Sequence, residues 1–196
     1  MNDFLDKISV TGWKRFLYIG IFVLLVWQLS RFWGQWQEGV TSIFYCIHAP
    51  MHEVGHTVTR MLHLPRTVVI LAGTIFQILT PVAIGAYFAW KNDLPAISLC
   101  TGWLGFATME AGIYMYDANI QKLTLVVPFM DASDSEGDFT MLFRQWDCLE
   151  TGCKIGTVTV NIGYCFVYLA LLMIIAMLAI GFARRKSTSG NEHHCN

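Results

Sequence analysis

Val158 to Phe182 reads VTVNIGYCFVYLALLMIIAMLAIGF, a run without one charged residue. A helix of that length extends about 37 Å, more than the roughly 30 Å hydrocarbon core of a bilayer. Runs of similar character lie upstream. Val68 to Trp90 is uncharged, with Gln77 and Pro81 as its irregularities. Phe16 to Ser30 is flanked by Trp13, Lys14, Arg15, Arg31 and Trp33, the aromatic and basic types that favour a membrane interface. Leu94 to Tyr116 is interrupted by Glu110, and Val40 to Leu62 is the least apolar of the set.

One such run would fit a globular core equally well. Five of them in 196 residues leave no polar shell to bury them. The chain is 55 % hydrophobic and 14 % charged, against about 25 % charged in ordinary domains. We expect an all-α membrane protein with about five transmembrane helices, at roughly 13–33, 40–62, 68–90, 94–117 and 157–182. They form a single polytopic domain over 1–186, and 187–196 reads as a disordered tail. The first run ends in Arg31 and Trp33 without a small-residue cleavage pattern, so it reads as a retained anchor.

The stretch 118–156 is different. It carries Asp131, Asp134, Glu136, Asp138, Asp147 and Glu150 beside Phe129, Phe139, Phe143 and Trp146. Too polar to span and too aromatic for a linker, this acidic and aromatic stretch is expected to be a folded or re-entrant loop that packs against the bundle before the last helix.

A net charge of -1 and the absence of a long basic run exclude a nucleic-acid surface. The expected partners are the lipid bilayer and a membrane protein or peptide. Five crossings place eight Lys and Arg on the side of the 118–156 loop and five on the other, which favours a cytoplasmic loop. Cys46, Cys100 and Cys165 fall in apolar runs, while Cys148 and Cys153 share the loop at a C-x4-C spacing open to pairing or metal binding.

Within the second run stands His52-Glu53-Val54-Gly55-His56. Histidines four apart lie one above the other on a helix face and converge on one zinc ion, with the intervening glutamate placed to act as general base on a water. Ionisable groups within a span are costly unless paired, so a metal partner is expected, one Zn2+ per chain. Pro50 precedes the motif and is expected to kink or break the helix near 47–50.

Catalytic zinc takes three protein ligands and keeps one position open. His52 and His56 supply two. His48 lies one more turn upstream on nearly the same face, but Pro50 misdirects it. The carboxylates Glu110, Asp117, Asp131, Asp134 and Asp138 are the other candidates for the third. Glu110 could instead hold a ligand histidine in place, and Gln77, between Gly73 and Pro81, could meet substrate or join helices.

A small polytopic protein with this motif resembles the site-2-protease class of intramembrane zinc metalloproteases. It is closer to small bacterial membrane proteins that pair H-E-x-G-H with a G-x-x-x-Q-x-x-x-P helix, a tyrosine-aspartate element and a His-Asp-aromatic element. Here those parts are His52 to His56; Gly73, Gln77 and Pro81; Tyr114 and Asp117; and Gly137-Asp138-Phe139. Gly137 departs from the histidine of the last element, and the Asn-Pro and Leu-Asp-Gly signature of better-known members is absent. The resemblance implies Asp138 as the third zinc ligand, ahead of Asp131 and Asp134, and Glu53 as catalytic base. It also implies hydrolysis of membrane-embedded or membrane-adjacent peptides in a bacterial inner membrane; the charge bias, with the motif at the loop end of its run, puts the active site toward the cytoplasm. A non-catalytic zinc scaffold, sensor or transporter is the alternative. A di-iron oxygenase needs more histidines than the six present.

Overall fold

Leu94–Asp117 is the helix around which the others are arranged. In the computed structural model, which describes residues 13–123 and 137–192, six α-helices account for nearly all regular structure, and no strand occurs among the described residues. They are α1 (Lys14–Phe32), α2 (Tyr45–Met61), α3 (Arg66–Trp90), α4 (Leu94–Asp117), α5 (Asp138–Gln145) and α6 (Gly152–Glu192). Helix α4 packs on α3 along one side and on α6 along another. Helix α2 packs on α3, α1 leans on α4 and α6, and the short α5 sits against α3 and the end of α4.

Three helices stop in the same way. After α2, His63 adopts φ 53° and its amide donates to Arg60, while the Leu64 amide reaches back to Thr59. Asn92 after α3 and Asp147 after α5 repeat that pattern with φ 54° and 51°. Histidine, asparagine and aspartate are among the non-glycine residues that tolerate the left-handed region best. The resulting turns fold α2 back on α3 and α3 back on α4.

Three segments are long and apolar enough to cross a membrane: Arg15–Phe32, Arg66–Trp90 and Leu149–Ala183. That is fewer than the five expected. Helix α2 has 17 residues, several of them polar. Helix α4 is long enough but less apolar, with Pro95, Thr101, Thr108 and Glu110 in its sequence; Phe106, Ala107 and Met109 on it are 0 % exposed. Wrapped by its neighbours, it is built for close packing rather than for dissolving in lipid. Helix α6 also outruns its expected limit of 182, because a backbone hydrogen-bond ladder does not stop at the last apolar residue.

The α4–α6 seam rests on glycine. A Cβ on Gly112 would lie 2.7 Å from the Val160 nitrogen, and one on Gly156 would run into the Tyr116 nitrogen. Gly105 and Gly163 meet in the same manner farther along. Such contacts let two backbones touch and gain dispersion energy where lipid offers no hydrophobic drive. Gly156→Ala is expected to destabilise the bundle by about 1–3 kcal/mol through overpacking, exceeding the ~1 kcal/mol gained in helix propensity. A lower thermal unfolding midpoint in detergent checks this.

The loop before the last helix packs as expected where it is described. Phe139, Leu142 and Phe143 of α5 are buried beside Ile70 and Ala118, and Thr140 Oγ1 donates to the Ala118 carbonyl at 2.9 Å. Pro50 does not break α2. It occupies the second turn and leaves the helix continuous from Tyr45 to Met61.

Candidate metal centre

His52 and His56 occupy successive turns of α2, and Asp138 is the first residue of α5. Asp138 Oδ2 lies 2.9 Å from His52 Nε2 and 2.9 Å from His56 Nε2. The three possible ligand atoms fall within 4.8 Å of one another, so the group could hold a metal ion. In a tetrahedral site with bonds of about 2.0–2.1 Å, ligand atoms stand about 3.3 Å apart. Each of the two histidine–aspartate spacings needs only a few tenths of an ångström of opening to reach it.

The space for an ion comes from glycine. A Cβ on Gly73 would lie 2.6 Å from His52 Nε2 and 2.6 Å from His56 Nε2. A bound zinc would stand hardly closer, at about 2.0–2.1 Å. Gly55 brings the two helices that near, since a Cβ there would collide with the Ala72 carbonyl oxygen. The glycine within the histidine motif and the glycine facing it on α3 therefore shape one cradle.

His56 is also oriented from behind. Its Nδ1 bonds to the Val69 carbonyl at 2.8 Å, which makes Nδ1 the donor; Nε2, which here meets Asp138, would offer its lone pair to a metal once it gives up the proton it shares with that carboxylate. Burial pushes the Asp138 carboxyl up, but hydrogen bonds from His52 and His56 outweigh it and hold the group down at about 2. Asp138 is therefore ionised, the form a ligand requires. It is about a quarter exposed, as is His52, while His56 is nearly buried. The group thus opens to one side. Glu53 is exposed on the same turn of α2, next to His52 and three residues before His56.

The other candidates lie elsewhere. His48 bonds Glu110 and Trp103 rather than joining His52 and His56, because α4 claims both of its ring nitrogens. Glu110 accordingly supports His48, not a histidine of the metal group. Gln77 Nε2 donates to the Ala107 carbonyl at 3.1 Å, tying α3 to α4. Asp117 accepts the amides of Lys122 and Leu123 and closes the turn after α4. Asp131 and Asp134 lie outside the described residues. Cys148 and Cys153 are free thiols. Sequence reasoning treated Gly73 as a helix-packing residue and missed its place opposite the histidines; only the pairing of α2 with α3 reveals it. Trp103 carried no signal beyond standing two helical turns from Glu110. Compared with family models, curated proteins and solved structures, the chain finds no match in any of the three.

Proposed function

We propose that this chain is a zinc metalloendopeptidase acting on peptides embedded in, or adjacent to, a lipid bilayer. The observation that carries the reading is the convergence of His52, His56 and Asp138 opposite Gly73, with Glu53 exposed one residue along the same helix. Two imidazoles and a carboxylate suit zinc by ligand type, and three protein ligands is the number catalytic zinc takes. A zinc ion held by these three residues would supply Lewis acidity, the property that makes a bound water nucleophilic near neutral pH and polarises a carbonyl.

The chain's own groups do the rest. Glu53 accepts the proton of the attacking water and returns it to the departing amine, as a positioned carboxylate does in general base catalysis. His56, braced by the Val69 carbonyl, and Asp138, braced by the packing of α5, hold the site rigid. Substrate would approach from the side where His52 and Asp138 are each about a quarter exposed. The span-capable helices support placing this chemistry at a membrane. The resemblance supports a bacterial inner membrane.

The test is chelation and repletion. Purified protein in liposomes is expected to cleave a transmembrane peptide, to stop when zinc is stripped, and to resume when zinc alone is returned. Zinc retention without cleavage across a broad substrate panel would favour the scaffold or sensor alternative. Asp138→Ala is expected to weaken zinc affinity by more than about 100-fold, since even supporting partners of metal ligands are worth about 10–100-fold. Asp117→Ala is expected to leave it unchanged, as read by zinc content under a chelator series.

A further inference from the structure

His48 is the most enclosed histidine of α2. It is 1 % exposed, and Glu110 beside it is 2 % exposed. Glu110 Oε2 lies 2.5 Å from His48 Nδ1, and Trp103 Nε1 donates to His48 Nε2 at 2.6 Å. An indole N–H can only donate. His48 Nε2 therefore carries the lone pair, Nδ1 carries the proton, and Glu110 accepts it. The other carboxyl oxygen accepts the Ser42 amide at 2.7 Å. The next two amides are also held by side chains: Ile43 donates to Gln28 Oε1 at 3.1 Å and Phe44 to Ser42 Oγ at 3.2 Å. The start of α2 is thus gripped by α4 and α1 through directional bonds. The His48 ring also lies against the rings of Phe44 and Trp103.

The two metal-facing histidines differ in what steadies them. His56 has the Val69 carbonyl behind it. Among the described residues nothing bonds Nδ1 of His52, so its aim depends on how α2 is rotated and where it sits along its axis. His48 is one helical turn from His52 on the same face.

We propose that His48, clamped at both ring nitrogens by Glu110 and Trp103, is a positioning residue that fixes the rotation of α2 and thereby aims His52 at the metal. This rests on the metal-centre reading above. It assigns to α4 a part in the site although no α4 side chain reaches the ion. The clamp holds the helix at its start, and Asp138 meets it farther along.

The experiment loads the full chain in detergent with cobalt(II), whose visible absorption reports coordination geometry. Wild type is expected to bind one cobalt per chain. His48→Ala is expected to bind it about 10–100-fold more weakly and, at saturation, to show shifted and altered bands. His48→Asn keeps an amide donor near the place of Nδ1 and is expected to recover most of the affinity and the wild-type bands. Trp103→Phe keeps an aromatic ring but removes the donor, and is expected to fall between. If His48→Ala does not fold, the Asn and Phe variants decide the matter by the same readouts. Folded variants with wild-type affinity and bands would overturn the clamp while leaving the metal centre standing. Wild type that takes up no cobalt would overturn the metal centre itself, and the clamp with it.

Discussion

Glu53→Gln is expected to retain one zinc per chain and to lose peptide hydrolysis by about 10²–10⁴-fold, the usual contribution of a positioned general base. Glutamine matches glutamate in size but cannot take a proton. The group that could hold the ion is His52, His56 and Asp138, so the substitution leaves all three in place. Metal content and turnover should therefore separate. His52→Ala removes a ligand and should lose both together. Zinc analysis alongside cleavage of a reconstituted peptide distinguishes the cases. A Glu53→Gln protein that still cleaves at the wild-type rate would remove Glu53 from the mechanism. One that loses its zinc would make Glu53 a ligand.

Gly73→Ala is the second large effect, and its sign runs against helix propensity. Alanine in place of glycine within a helix should stabilise by about 1 kcal/mol. The new methyl would nevertheless lie 2.6 Å from both Nε2 atoms. The imidazoles can swing away from it, but then they no longer converge. We expect a protein at least as resistant to thermal unfolding as wild type, with zinc content below about a tenth and no hydrolysis. Such a result would show that the site depends on missing volume as much as on ligands, in line with the cost of overpacking. Gly55→Ala should behave differently. Its methyl would meet the Ala72 backbone, which cannot rotate aside, so the helices must part and stability should fall with metal binding. Full zinc occupancy in the Gly73→Ala protein would place the ion elsewhere.

What could be read in advance follows from the range of each signal. The histidine pair was legible because four residues is one helical turn, a local matter that holds wherever a helix forms. The apolar runs that became α1, α3 and α6 were legible for the same reason. Helix α4 was counted as a span on its length and its interrupted apolar run, but with Glu110 and several small or hydroxyl residues it is less apolar than the helices long and apolar enough to cross. Asp138 lies 86 residues from His52, and no local rule reaches that far; only the resemblance pointed to it. His48 shows the converse. Its spacing suggested a ligand, but Trp103 and Glu110, 55 and 62 residues away, had already taken both ring nitrogens. The glycines at 105, 112, 156 and 163 stand in plain view, yet their meaning waits on knowing that α4 and α6 run side by side.

Helix α2 is poorly suited to enter a membrane unaided. Its 17 residues include the charged Glu53 and Arg60 beside the polar His48, His52 and His56, and a charged residue such as Asp, Lys or Arg at the centre of a membrane helix opposes insertion by about 2.5–3.5 kcal/mol on insertion scales. Left to partition alone, such a segment would stay in water. The turn from Leu62 to Pro65 joins it to the strongly apolar α3. The two would therefore enter the bilayer as one hairpin, with the second half drawing in the first. Biogenesis would then wait at α2 until α3 has left the ribosome, and lengthening that turn should trap nascent chains with the histidine-bearing segment stranded outside the lipid.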